Sequence, residues 1–294
     1  MLKKCRRITG LFLVICLLLS AAPNVRAATG TELEPQYATG TPIITSVGTV
    51  SGDLVKGEQE TVRVTIFFDP SQTVSYVNCT VKIYFQKDSA NIELANKQVV
   101  ITGTTSIDFP VTFPAIGSAQ IYAKLYKSTQ EIGSRSQTIT VIGRWRIQIK
   151  LPANRLEEGI LILYDGNGNT LLMAQCLGQS ESKASMYVEN GNTPTGEYTG
   201  VLWGPESDTG AYGPHKVVAL TGVSGAIITS GRSGIWIHGG RYPSPTATNY
   251  ELTPTNGCVR VTNGHQQQIQ DLITALINQG YHHPTGNVSI VEVG

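Results

Sequence analysis

Two side chains in this sequence can do covalent chemistry together. Cys258 lies in Thr255-Asn256-Gly257-Cys258-Val259-Arg260, and His238 ends the run Gly234-Ile235-Trp236-Ile237-His238. A thiol is a nucleophile only as thiolate, and with an ordinary pKa of about 8.5 it needs a base to reach that form near neutral pH. Imidazole is suited to that task. Gly257 lets the chain turn and carry Cys258 outward with backbone N–H groups bare, as an oxyanion site requires. His238 leads into Gly239-Gly240, so a strand holds the ring while the glycines leave it approachable. From residue types alone, the alternative stays open: an inert core thiol and a hydrogen-bonded core histidine.

Other chemistries fit less well. Gly222-Val223-Ser224-Gly225-Ala226 approaches a serine nucleophile elbow, but Ala226 breaks the pattern and a glycine-rich turn is the simpler reading. His265, His282 and His283 with Cys258 lack the spacing of a closed zinc set. Asp165-Gly166-Asn167-Gly168-Asn169 suggests a calcium loop until Thr170 falls where Gly is needed and Cys176 where Glu is needed. No Gly-x-x-x-x-Gly-Lys loop occurs. The sequence thus implies neither a metal nor a soluble cofactor.

The elements that must position Cys258 and His238 are mostly strands. Arg144 to Leu151 alternates, and Ile160 to Tyr164 and Thr170 to Cys176 flank the Asp-Gly-Asn-Gly-Asn turn as a hairpin. One clear long helix is predicted over Asn263 to Gln279, with Ile269, Leu272, Ile273, Leu276 and Ile277 on one face. Asn263 and Gln266 would form its capping box, and Gly280 its stop. The sixteen residues from Gly239 to Pro254, with Tyr242, Tyr250 and three prolines, are long enough to wall the cysteine from water.

Upstream, seven β-type runs separated by turn residues predict an immunoglobulin-like β-sandwich over 41–142. They are Ile43 to Val50, Thr61 to Phe68, Val74 to Phe85, Gln98 to Thr102, Ser106 to Phe113, Ala119 to Tyr126 and Ser136 to Ile142. This part contains no histidine, so it assembles no catalytic set; spacing or binding is its task. The fold class is therefore mainly β: the sandwich, then a β-rich domain at 143–294.

The chain has 294 residues, 40% hydrophobic and 15% charged, which suits two packed domains rather than disorder. Lys3, Lys4, Arg6 and Arg7 precede the apolar run Leu11 to Leu19, which is shorter than the roughly 20 residues that span a bilayer. With Val25-Arg26-Ala27 as cleavage site, residues 1–27 read as a signal peptide and 28–40 as a polar linker. Lipid attachment at Cys16 and an uncleaved anchor are the alternatives. No later segment is long and apolar enough to cross a membrane. Beyond residue 27 the chain carries 17 basic and 21 acidic residues, a net charge of −4. It has no global basic field for nucleic acid. Cleavage leaves Cys79, Cys176 and Cys258, an odd number for an exported protein, so at least one thiol is free or pairs between molecules.

With these motifs in view, the region from about Arg144 to Val293 resembles the YkuD-type L,D-transpeptidase catalytic domain of bacterial cell-wall enzymes. His238 is followed by sixteen residues and then Thr255-Asn256-Gly257-Cys258, like the family's His, gap, Ser/Thr-His-Gly-Cys pattern. Thr193-Pro194-Thr195-Gly196 is similar to its Thr-Pro-x-Gly turn, and Ile237-His238-Gly239 to its Ile-His-Gly. Asn256 departs from the histidine usual before Gly-Cys. The resemblance implies that Cys258 attacks, His238 takes its proton and the Gly239 carbonyl orients the ring. It also implies that the amides of Gly257 and Cys258 hold the oxyanion, while Arg260 either braces the site or meets a substrate carboxylate. The implied partners are peptidoglycan stem peptides, donor and acceptor, outside the membrane. An L,D-carboxypeptidase or endopeptidase using water, and a non-catalytic wall-binding protein, are the alternatives.

If the leader reading is right, N-terminal sequencing of exported protein gives a start at or near Ala28. A start before Val25, or a lipidated Cys16, contradicts it.

Overall fold

A computed structural model describes residues 41–70, 76–241 and 244–294. The leader at 1–27, the linker at 28–40, and Tyr242 and Pro243 of the Gly239–Pro254 stretch lie outside the described residues.

The first part contains eight strands: β1 (Ile43–Thr49), β2 (Leu54–Val55), β3 (Gln59–Phe67), β4 (Val77–Lys87), β5 (Ala90–Ile101), β6 (Thr105–Thr112), β7 (Gly117–Lys127) and β8 (Gln130–Ile142). They form a three-stranded sheet, β1-β3-β6, and a five-stranded sheet, β2-β8-β7-β4-β5. Alternate residues of both sheets point into one apolar core. Val62, Val64 and Ile66 of β3 enter from one side, and Val81, Ile83, Phe85, Ile121 and Leu125 from the other. This is period-two patterning with one buried face.

The short strand β2 was not expected, and two strand starts differ from expectation by more than three residues. β5 begins at Ala90 rather than Gln98, because it is an edge strand whose Ala90–Glu93 are exposed and show no apolar alternation. Cross-strand pairing with β4 defines it, including Lys82–Glu93 at 3.1 Å. β8 likewise starts at Gln130, where it pairs with β7 through polar residues.

The second part contains β9 (Arg146–Pro152), β10 (Gly159–Tyr164), β11 (Thr170–Cys176), β12 (Gly196–Trp203), α1 (Thr209–Tyr212), β13 (Val217–Ser224), α2 (Ala226–Ser230), β14 (Ile235–His238), β15 (Val259–Arg260), α3 (Asn263–Asn278) and β16 (Thr285–Val293). One eight-stranded sheet runs β11-β10-β9-β16-β12-β13-β14-β15. The pairings β16–β9 and β14–β15 are parallel. The last strand is thus inserted between β9 and β12, where it closes the sheet. Ile269, Ile273 and Leu276 of α3 belong to the same core as Ile147, Ile149, Ile235, Ile237, Val259 and Val261. Each such side chain contributes roughly 1.5–3 kcal/mol when fully buried.

The long helix forms as expected, but its cap differs. Thr262 is the N-cap and accepts from the His265 N–H at 3.2 Å. The Asn263 side chain faces the site instead, its Oδ1 accepting from the Gly240 N–H at 2.7 Å. Gln266 donates to the Tyr212 and His215 carbonyls, both at 2.9 Å. The two short helices were not legible, since four or five residues are too few to show a helical period.

Arg144 joins the two parts. Its Nε donates to Glu58 at 2.7 Å, and its Nη1 to Thr285 Oγ1 at 2.6 Å. Beside it Trp145 is fully buried, with its ring against the α-carbon of Gly286, where a Cβ would lie 2.1 Å from ring carbon Cδ2. Gly286→Ala therefore overpacks the core, and chemical denaturation should show a loss of about 1–3 kcal/mol. Unchanged stability would mean that Trp145 can move freely.

Candidate active site

The sheet register brings the candidate residues to one place. Ile237 pairs with Val259 and His238 with Arg260, so Cys258 stands level with Trp236. Ile235, Ile237, Val259 and Val261 point into the core with α3. Alternation then puts Trp236, His238, Cys258 and Arg260 on the opposite face, with Cys258 and His238 as diagonal neighbours. Tyr212 of α1 covers this face, its ring 5.0 Å from Trp236 and 5.2 Å from His238.

His238 is buried, and its Nδ1–H donates to the Gly239 carbonyl at 2.8 Å. A carbonyl only accepts, so the proton is assigned to Nδ1 and Nε2 is left as the acceptor. Burial, and then the Arg260 cation, pull the imidazole down to about 4, against the opposing effect of the Gly239 bond. The imidazole is neutral at pH 7. Burial raises the Cys258 thiol, although the Trp236 N–H and the Arg260 and Arg232 cations favour its thiolate. The resting pair is therefore thiol and neutral imidazole, not a preformed ion pair. The thiol itself bonds to the backbone at β14 and just before it: Sγ accepts from the Trp236 N–H at 3.4 Å and donates to the Gly234 carbonyl at 3.6 Å.

Arg260 is 2% exposed. It donates to the Ala211 carbonyl at 3.0 Å, Thr253 at 3.2 Å, Pro254 at 3.4 Å and, by a short bond, Gly239. Of the two roles open to it, bracing is the one these contacts support. Gly257 has φ +106°, and a Cβ there would meet Arg232 Nη2 at 1.8 Å and the Gly191 carbonyl at 2.7 Å. Only glycine fits. The Gly257 N–H donates to Thr255 Oγ1 at 3.1 Å, so it is already engaged. The Cys258 N–H has no acceptor among the described residues and is the open donor of the turn.

The Thr-Pro-Thr-Gly turn has a definite part in this arrangement. Buried Thr193 donates its hydroxyl to the Cys258 carbonyl at 2.9 Å, and Thr255 donates to the same carbonyl at 2.8 Å. Tyr198 holds the turn by donating to the Pro194 carbonyl at 2.7 Å. Sequence reasoning missed the individual role of Thr193, and it missed Arg232 and Tyr212 altogether. Arg232 was signalled only as a lone cation in the Ser230-Gly231-Arg232-Ser233-Gly234 turn. It donates to the carbonyls of Asn192 at 2.7 Å, Met186 at 3.2 Å and Asn256 at 3.3 Å, tying the 184–193 loop to the cysteine turn.

The Gly239–Pro254 stretch folds against the start of α3. Tyr250 Oη accepts from the Asn263 N–H at 2.8 Å, and the Gly264 N–H donates to the Ala247 carbonyl at 2.8 Å. The other histidines have separate partners. His215 donates to Pro245, His265 bonds Thr262, His282 accepts from the Gly166 N–H and His283 bonds Arg144. Asp165 closes its own turn, accepting from the Asn167 and Asn169 N–H groups, both at 2.8 Å. Ser224 ends β13 in register with Glu197. The five-residue helix α2 follows it.

Compared with known families, residues 144–290 match the YkuD L,D-transpeptidase catalytic domain. No curated protein matches the chain. Among solved structures, a superoxide reductase (neelaredoxin) from Ignicoccus hospitalis aligns over 35% of this chain and 81% of its own, with 16% identity and a TM-score of 0.26. A family 2 glycosyl hydrolase from Bacteroides cellulosilyticus aligns over 45% of this chain at 15% identity and a TM-score of 0.26. A beta-glucosidase from Listeria innocua aligns over 36% at 16% identity and a TM-score of 0.25. The chain spans only 18% and 16% of the length of these two hydrolases. At such scores none of the three informs the chemistry.

A thiol above and an imidazole below their ordinary values make a specific pH profile. Iodoacetamide alkylation of Cys258 should keep rising above about pH 8.5, the ordinary thiol value, because burial raises this thiol. A plateau between about pH 5 and pH 8 would instead reveal a thiolate–imidazolium pair.

Proposed function

The chain belongs to the YkuD family of L,D-transpeptidase catalytic domains, and from that premise we propose an exported enzyme that joins or remodels peptidoglycan stem peptides through Cys258. The observation that carries this reading is the Nδ1–H bond from His238 to Gly239. It leaves Nε2 as proton acceptor on the sheet face that also bears the thiol. Cys258 Sγ attacks the carbonyl of the diamino-acid residue in a tetrapeptide stem while its proton passes to His238 Nε2. The Cys258 N–H is the available oxyanion donor, and the Gly257 N–H can join it by leaving Thr255. As the C–N bond to the terminal D-Ala breaks, the imidazolium returns its proton to the departing amine. A second stem amine then attacks the thioester, gives a proton to His238 and releases the Cys258 thiolate. That thiolate recovers the proton from His238.

A neutral resting pair suits this sequence, because proton transfer coincides with attack and no free thiolate is exposed to oxidation. Arg260 serves as a brace in the mechanism, holding the Gly239 carbonyl that orients the base. No metal or soluble cofactor enters the steps. We read the upstream two-sheet sandwich as an immunoglobulin-like spacer that sets the catalytic domain away from its point of attachment in the wall.

Incubation with a tetrapeptide stem should add a tripeptide acyl mass to Cys258. Cys258→Ala should abolish the adduct, and His238→Ala should slow its formation by about 100-fold or more. With an acceptor stem present, cross-linked dimer supports transpeptidation. Tripeptide alone, over a range of amines, assigns the hydrolytic alternative. Loss of the adduct in folded Cys176→Ala rather than Cys258→Ala would identify a different nucleophile.

A further inference from the structure

With Arg260 sealed against backbone carbonyls, the cation able to meet a ligand beside the nucleophile is Arg232. It is half-buried and lines a polar cavity of about 380 Å³ with Glu189, Asn190, Ser230, Ser233 and Asn256. Three hydrogen bonds, to Met186, Asn192 and Asn256, fix its plane. A guanidinium has five N–H donors, so Nε–H and one Nη2–H remain without an acceptor among the described residues. Those two donors lie on adjacent nitrogens and match the two oxygens of a carboxylate. Nη2 also lies against the α-carbon of Gly257, one residue from the nucleophile. A carboxylate held there is therefore close to the thiol.

We propose that Arg232 is the specificity residue that binds the C-terminal carboxylate of the residue displaced from the donor. This assignment rests on the acyl-transfer reading above and adds to it the group that selects the donor's free end. A donor ending in an amide would leave the Arg232 fork with half its match, so the enzyme distinguishes acid from amide at that position. Glu189 is exposed on the cavity wall and opposes a carboxylate there, which limits the site to ligands that Arg232 engages directly.

The test compares iodoacetate with iodoacetamide in the full chain, with rates read on the Cys258 peptide by mass spectrometry. Both reagents consume the thiolate, so a changed thiol pKa cancels in the ratio of their rates and the carboxylate contact does not. Arg232→Gln should lower the acid-to-amide ratio about tenfold, the scale of a charge-assisted paired bond that is partly exposed. Glu189→Gln, an exposed change, should raise it and decides the matter if Arg232→Gln does not fold. An unchanged ratio in the folded variant overturns the proposal.

A second arm uses tetrapeptide donors ending in carboxylate or amide. Wild type should acylate faster with the acid, and Arg232→Gln should lose that preference. If both donors acylate and the variant keeps the preference, Arg232 is not the selecting residue. If neither donor acylates while the reagent ratio shifts as expected, the carboxylate site stands and the function proposed for it falls.

Discussion

The site depends on a buried cation without a bonded counter-charge among the described residues. Arg260 is 2% exposed, and its guanidinium is held by carbonyls from Ala211, Gly239, Thr253 and Pro254. Removing such a charge from water costs several kcal/mol unless its N–H groups are satisfied. The loops around it are accordingly set by the directions in which those carbonyls must point. Burial, and then Arg241, draw Arg260 down to about 10, so it stays charged at neutral pH. After burial, the same charge is the next effect that lowers His238, and with the Trp236 N–H it favours the Cys258 thiolate. One group thus shapes the loops and tunes both members of the pair.

The sheet couples this site to stability through period-two alternation. In β14, Ile235 and Ile237 pack into the core while Trp236 and His238 face the site. A slip of one residue would bury the imidazole among aliphatic side chains and expose the isoleucines, so the packing of α3 enforces the register that sets His238 and Cys258 on one face. The start of α3 adds a second constraint. Asn263 and Gln266, buried at its first turns, hold Gly240 and the 212–215 segment respectively. A substitution at the start of the helix is therefore felt beside His238.

Much of this was legible locally. Most strands of the first part, β9, β10, β11 and β14, the 165–169 hairpin and the long helix follow from alternation, turn residues and helical period, which are properties of neighbouring residues; β2, β12, β13, β15 and β16 were not expected. Cys258, His238 and Gly239 stood out as a group through the resemblance to a family pattern, whereas residue types alone left an inert thiol and a core histidine open. The early half of β5 was not legible, since an edge strand of polar residues is defined only by its partner. Thr262 as cap was missed because Asn263 offers the same local chemistry, and only the nearby Gly240 N–H decides which of them turns outward.

By itself the sequence determined which residues are able to do chemistry and which segments form strands or helix, because residue type and local spacing act over a few positions. The tertiary structure alone decided where those residues stand and what they touch. It placed Arg260 among carbonyls and Arg232 on an open cavity, although both are arginines a short distance from the same cysteine. It set the Cys258–His238 pair as neutral, since burial and neighbouring cations, not residue identity, shift a pKa. It gave Thr193, 65 positions from Cys258, a bond to that residue's carbonyl. Desolvation and long-range hydrogen bonds exist only once distant segments meet, and local spacing cannot encode them.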